Sequence, residues 1–480
     1  MGRARPSEDT LPAARLSVAA ALRVPDARGF ARALAPRPFL FPADHGSHPD
    51  YRTEWWYYTG NLAARDGRRF GFQLTFFRTA LGPGPAPAEA ESPEGSPRHA
   101  ASESEPSKRS ASTTSPEAVP SARSVAGSAA ASGPISPAGP AASAGGRTSA
   151  WATRQVWFAH FAVTDAAGHR FLAYERWERQ ALGLAGADAQ PFRVWVGPWS
   201  AASAGAGAGT GTGLAVAGTP PMHLSAATDE AAIDLVLTTA LPPVPQGDRG
   251  LSAKSAEPGN ASYYYSLPRL AAAGTLRLGA EQLSVTGQAW MDREWSTSSL
   301  AAGEVGWDWF GLQLDDGWEL MLYRLRRRPP AAPAGAATPL RAPATGESRA
   351  GHRTEFQPAV AEQADPASLA TLIAPDGRTT RLPLSSVQFA ATGAWTSPAS
   401  HARYPSGWRL RLPGAGSAAL DLTVQPLLAA QELLLSFRYW EGAVTATGTH
   451  GGRPVTARGY VELTGYGDAP QARASAAECP

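Results

Sequence analysis

Apolar and polar residues alternate along much of this chain with a period of two. Phe70, Phe72, Leu74 and Phe76 are interleaved with Arg69, Gly71, Gln73 and Thr75, the pattern of a half-buried β-strand whose successive side chains point to opposite faces. Asp66-Gly67 precedes that strand, and such a pair favours a hairpin turn because glycine tolerates positive φ. The construction recurs at Asp316-Gly317, between Gly311–Leu314 and Glu319–Leu325, at Pro375-Asp376-Gly377, and at Gly451-Gly452 before Val455–Leu463. Long amphipathic helical stretches are scarce. The pattern predicts an all-β, antiparallel architecture.

A weak repeat overlies the hairpins. Trp55-Trp56-Tyr57-Tyr58-Thr59-Gly60, an Asp-Gly hairpin and an aromatic strand ending near Arg78 are echoed by Trp307-Asp308-Trp309-Phe310-Gly311, a second Asp-Gly hairpin and a strand ending near Arg324. After each comes an insertion and a further hairpin, around Ala167-Gly168 and Asp376-Gly377. The kept order predicts duplication into two β-barrel domains, 36–270 and 271–468, with an N-terminal extension (1–35) and a tail (469–480). Pro83–Ala150, rich in Ala, Ser, Pro and Gly, is expected to be a disordered insertion. Segments around Ala201–Gly213 and 329–351 are expected to be loops of the same character.

Composition narrows the function. With 43 basic and 41 acidic residues the net charge is +2, which gives no footprint for nucleic acid. No stretch reaches the roughly 20 apolar residues of a membrane helix, so no stable membrane insertion is expected. The one cysteine, Cys479, can form neither an internal disulfide nor a cysteine-based zinc site. Leu16–Leu22 is short for a signal-peptide core and has Glu8 and Asp9 upstream. Localisation stays open. The 15 tryptophans point to an apolar ligand cavity as well as to cores.

Polar and aromatic groups concentrate in a few motifs: Phe41 to Tyr57, Ala261 to Arg269, Gly287 to Ser296, Gly306 to Phe310, Tyr439-Trp440-Glu441-Gly442, and Gly459 to Tyr466. In this order they resemble the AttH/CrtC family, lipocalin-like proteins that include carotenoid 1,2-hydratases and bacterial "predicted secreted hydrolases". The match runs from about Phe39 to Tyr466 and is closest to the AttH branch. The resemblance implies two calycin-type barrels, an apolar isoprenoid or lipid-like ligand, periplasmic export in many relatives and an ABC-type export system as a partner. The hydratase branch has a Tyr-x-Asp pair, which here falls on Trp290-Met291-Asp292, keeping the acid. Its His-x-Trp pair falls near Tyr263-Tyr264-Tyr265, without a histidine.

On a strand, Trp290, Asp292 and Glu294 share a face. A carboxylic acid in an apolar pocket has a raised pKa and can donate a proton near neutrality, while tryptophan faces shelter a cation. Asp292 and Glu294 are therefore the candidate catalytic acids. Trp290, Trp295, Trp307, Trp309, Tyr263, Tyr265, Glu54 and Trp56 are the candidate ligand contacts. The alternative for Asp292 is a structural ion pair. Glu54, Glu441 and Glu462 are either partners of arginines such as Arg52, Arg269 or Arg324, or the polar end of the cavity. His45 and His48, near Asp44 and Glu54, read as structural hydrogen-bonding groups rather than metal ligands, and no cofactor is expected. No Gly-x-Ser-x-Gly elbow supports hydrolysis. Two functions remain: a cofactor-free hydro-lyase or isomerase acting on a double bond, and a non-catalytic carrier or export accessory.

Overall fold

The computed structural model describes residues 16–17, 28–83, 153–204, 219–239, 241–297, 300–301, 303–328, 363–414 and 419–467. The expected insertion at 83–150, the 329–351 loop, the 469–480 tail and most of the N-terminal extension lie outside them. Ala201 to Ser203, expected to be loop, continue a strand begun at Trp199.

Two antiparallel sheets carry the fold. The first comprises β1 (Thr53–Ala64), β2 (Arg69–Ala80), β3 (Gln155–Asp165), β4 (Arg170–Arg179), β5 (Ala185–Ala189), β6 (Phe192–Val196), β7 (Trp199–Ser203), β8 (Met222–Ala227), β9 (Ala231–Thr239), β10 (Ala261–Leu278) and β11 (Glu281–Ser296). Its order is β4-β3-β2-β1-β11-β10-β9-β8-β7-β6-β5. The second comprises β12 (Glu304–Leu314), β13 (Glu319–Arg327), β14 (Leu369–Ile373), β15 (Thr379–Pro383), β16 (Gln388–Ala391), β17 (Trp408–Leu412), β18 (Leu420–Pro426), β19 (Phe437–His450) and β20 (Arg453–Leu463). Its order is β15-β14-β13-β12-β20-β19-β18-β17-β16. In both halves the first long strand lies between its hairpin partner and the last strand. These are two lipocalin-like barrels of related topology. The division expected at 270/271 falls inside β10; the change of sheet comes between Ser296 and Glu304, because β11 pairs with β1 from Val285 to Ser296.

Side-chain chemistry repeats with the topology. Glu54 on β1 faces Arg78 on β2 in register and is ion-paired with it. Asp308 on β12 faces Arg324 on β13 in register, 3.0 Å away. The first barrel is filled by Trp56, Tyr58, Phe72, Phe76, Trp157 and Phe161 among others, with Trp56 and Trp157 stacked at 5.6 Å. Burying such a side chain contributes about 1.5–3 kcal/mol.

The strand read from its alternation as half-buried is buried on both faces. Phe70, Phe72, Leu74 and Phe76 point into the first barrel, and Gly71, Gln73 and Thr75 are covered as well. The cover is the second half. Gln73 Nε2 donates to Tyr439 Oη at 3.1 Å, and a Cβ at Gly71 would stand 2.4 Å from that of Ala443. Only glycine allows that approach.

Candidate functional site

Where the halves meet but do not close, a cavity remains, about 860 Å³ counting its open mouth. It lies between the barrels rather than inside one, because each barrel interior is filled by its own core. Odd-numbered residues of β1 face it: Thr53, Trp55 and Tyr57. Register then selects the neighbours, since Trp55 faces Glu294, Tyr57 faces Asp292, and Tyr264 faces Glu294. Asp292, Glu294, Tyr264 and Lys254 line the same wall. The second half supplies Trp307, Trp309, Tyr323, Glu441 and Glu462.

Asp292 is held by neutral donors. Its Oδ1 accepts from Trp290 Nε1 at 2.7 Å and Ser266 Oγ at 2.6 Å. Its Oδ2 accepts from Tyr264 Oη at 2.6 Å, and that hydroxyl accepts from Trp309 Nε1 at 3.1 Å. Among the described residues no arginine, lysine or histidine forms an ion pair with it, which excludes the ion-pair reading. Burial raises its pKa to about 7, against the opposing pull of the three hydrogen bonds. Glu294 differs: it accepts from Ser262 Oγ, and Lys254 Nζ lies 2.6 Å from its Oε1. That ammonium also sits 4.4 Å from the centre of the Tyr323 ring.

Opposite them, Glu441 and Glu462 are direct cross-strand partners on β19 and β20. Glu441 accepts from Tyr57 Oη at 2.9 Å and Gln73 Nε2 at 3.2 Å. Burial, then the neighbouring Glu462, pushes its pKa well above the ordinary range. Glu462 is half-buried, and burial raises its pKa to about 8. Neither forms an ion pair with an arginine among the described residues, and both carboxylates add to the polar part of the cavity. The arginines named for that role pair elsewhere: Arg269 with Glu319 and Arg324 with Asp308.

Of the residues expected at the ligand, Asp292, Glu294, Trp307 and Trp309 border the cavity. Trp290 lies just behind it, bonded to Asp292 and packed edge-on against Trp309 at 5.9 Å. Trp56, Trp295, Tyr263 and Tyr265 are a correction: they belong to the first barrel's core. Glu54 is one too, fully buried between Arg78 and Arg293. All five have the wrong strand parity. Three of the residues missed, Trp55, Tyr57 and Tyr264, are their sequence neighbours on the opposite face; Phe77, Lys254 and Tyr323 were missed as well. His45 bonds Tyr265 Oη at 2.6 Å, and His48 stacks on Trp295 at 3.8 Å between Asp44 and Glu54.

The raised acids make stability depend on pH. Between the ordinary carboxylate pKa of about 4 and about 7 for Asp292 or about 8 for Glu462, the folded protein keeps protons that the unfolded chain has released. Unfolding free energy therefore falls as pH rises through that window. Thermal midpoints are expected to rise as pH is lowered from about 8.5 to about 6, and Asp292→Asn or Glu462→Gln to flatten the slope. A midpoint that climbed with pH over this range would contradict the assignment.

An all-β chain of two lipocalin-like barrels with an acid-bearing aromatic cavity between them belongs to the class of double-barrel calycin proteins. More narrowly, the AttH-like family profile matches residues 32–123, 137–362 and 354–466, and the chain belongs to that family. An AttH-type protein of Nitrosomonas europaea is 25% identical; the alignment covers 91% of this chain and 99% of that one, with a TM-score of 0.61. Kievitone hydratase from Nectria haematococca, 12% identical, shares the fold over 91% of this chain and 97% of its own, at a TM-score of 0.51. A comparison with curated proteins finds no match.

Proposed function

We propose that the cavity binds an apolar small molecule and that Asp292 protonates a double bond in it, beginning a hydration or isomerisation. The observation that carries this reading is the state of Asp292. Among the described residues it is a buried acid with no ion-pair partner, and burial raises its pKa to about 7 on the wall of an aromatic cavity, which suits a proton donor near neutrality. The alkene π pair takes the Asp292 proton to form a C–H bond, leaving a carbocation and the Asp292 carboxylate. Trp55, Trp307 and Trp309 line the cavity, and their aromatic rings can stabilise that cation. In hydration, water from the open mouth adds to the cation and its surplus proton returns to Asp292. In isomerisation, an adjacent C–H bond instead gives its proton to the Asp292 carboxylate and its electron pair to the new double bond. The hydrogen bonds from Tyr264, Ser266 and Trp290 strengthen as the carboxylate forms, so they favour the charge-separated state. The hydratase named above, on the same fold, is consistent with such chemistry. A carotenoid is one ligand of this class.

The test is to extract the apolar compound that copurifies with the protein, return it to fresh enzyme in heavy-oxygen water, and follow it by mass spectrometry. Incorporated heavy oxygen or a shifted double bond is expected. Recovery of the unchanged compound, bound stoichiometrically, would instead make the protein a carrier.

A further inference from the structure

The cavity wall continues as a row of side chains, aromatic except for Glu294, along the rim between the two barrels. Sheet register places Tyr264 opposite Glu294, Glu294 opposite Trp55, Trp55 opposite Phe77, Phe77 opposite Phe158, and Phe158 opposite Trp177. The row crosses β10, β11, β1, β2, β3 and β4, one residue on each. The first four border the cavity. Beyond them Phe77 stacks on Phe158 at 4.5 Å, and Phe158 on Trp177 at 4.6 Å. Exposure grows along the row, from 3% at Tyr264 to 42% at Trp177. Adjacent strands lie about 4.8 Å apart, so the row measures roughly 24 Å along the sheet.

Two residues away runs a parallel polar row: Ser266, Asp292, Tyr57, Thr75, His160 and Glu175. Strand β19 covers the row from Tyr57 to His160, with Glu441 bonded to Tyr57 and Tyr439 bonded to His160 at 2.6 Å. The aromatic row is the strip that β19 leaves partly open. Phe437, also on β19, forms its far wall, 5.1 Å from Phe158 and 5.8 Å from Trp177. Glu175 fixes this outer end by accepting from Trp177 Nε1, from Ser436 N at 3.1 Å and from Ser436 Oγ at 2.5 Å.

We infer that the aromatic row is an extended binding track and that the cavity's ligand is an elongated apolar molecule, its chain lying across the strands from Tyr264 to Trp177. This rests on the proposed reading of the cavity as an apolar-ligand site. The rings point away from the first barrel's core, so that core does not account for them. The strip is one residue wide beside a covering strand, which suits a single hydrocarbon chain better than a second folded surface.

Binding of hexanol, decanol and hexadecanol by calorimetry tests the track. Affinity is expected to climb with length in the wild type. Trp177→Ser should leave hexanol unaffected and weaken hexadecanol roughly tenfold. Phe158→Ala should do the same from decanol upward, with thermal midpoints as the control for folding. Equal losses at every length, or wild-type affinity independent of length, would overturn the track and leave the apolar cavity standing. Failure of every alcohol to bind would count against the cavity reading itself, and the track with it. A Trp177→Ser protein altered only in sedimentation would make the row a contact between copies and refute the proposal.

Discussion

Asp292→Asn is expected to cut turnover by roughly a hundred- to ten-thousandfold while leaving ligand affinity almost unchanged. The substitution removes the transferable proton and little else. Asn keeps an oxygen for Trp290 and Ser266, the two donors to Oδ1. Its amide group meets Tyr264 Oη, which already accepts from Trp309, so one buried hydrogen bond is weakened, a cost of about 1 kcal/mol. No buried cation is stranded, because Asp292 has no ion-pair partner among the described residues. At about pH 8.5 the variant is expected to unfold no earlier than the wild type, since Asn escapes the penalty of ionising a buried acid. Turnover, affinity and thermal midpoint measured on one preparation separate the roles. Undiminished turnover in a folded, ligand-binding variant would remove Asp292 from the mechanism.

The placing of Asp292 toward a cavity was legible in the sequence, while its surroundings were only half legible. Period-two alternation and the Asp-Gly turns located the strands, and the recurrence of both in one order announced two related halves. Parity along β11 placed Trp290, Asp292 and Glu294 on one face, as the structure has them. What parity within a strand cannot tell is which face of the neighbouring strand joins it. Moving one residue along β10 exchanges Tyr264 for Tyr265, and along β1 exchanges Trp55 for Trp56. Aromatic residues stand on both faces there, so composition gave no help. The cavity's position was hidden for a related reason. Gln73 and Thr75 lie on the polar face of a strand read as half-buried, yet they are covered by β19, with Gln73 bonded to Tyr439 across several hundred positions of sequence. The aromatic row from Phe77 to Trp177 was equally invisible, since its members share a register rather than a stretch of chain.

Glu54→Gln, the same exchange of carboxylate for amide, is expected to have the opposite consequence. Glu54 is fully buried and takes hydrogen bonds from both Arg78 and Arg293, which are themselves fully buried, as well as from His48 N at 3.0 Å. The two guanidiniums hold its pKa below the ordinary range against the effect of burial. Arg293 also lies 3.8 Å from the Trp56 ring centre, which ties the pair into the barrel core. A neutral glutamine leaves two buried positive charges without their carboxylate, and the expected loss is about 3–5 kcal/mol. That corresponds to a fall in thermal midpoint on the order of 10 °C. Asp308→Asn should act in the same direction in the second half, where Arg324 and Arg326 both approach the carboxylate. The sign follows from the surroundings: Glu54, between two guanidiniums, stabilises the folded barrel as an anion, whereas Asp292 and Glu462 on the cavity wall stabilise it when protonated. Denaturant melts of Glu54→Gln, Asp308→Asn and Asp292→Asn at about pH 8 check this together. A Glu54→Gln protein as stable as the wild type would show that the buried network does not hold the first barrel closed.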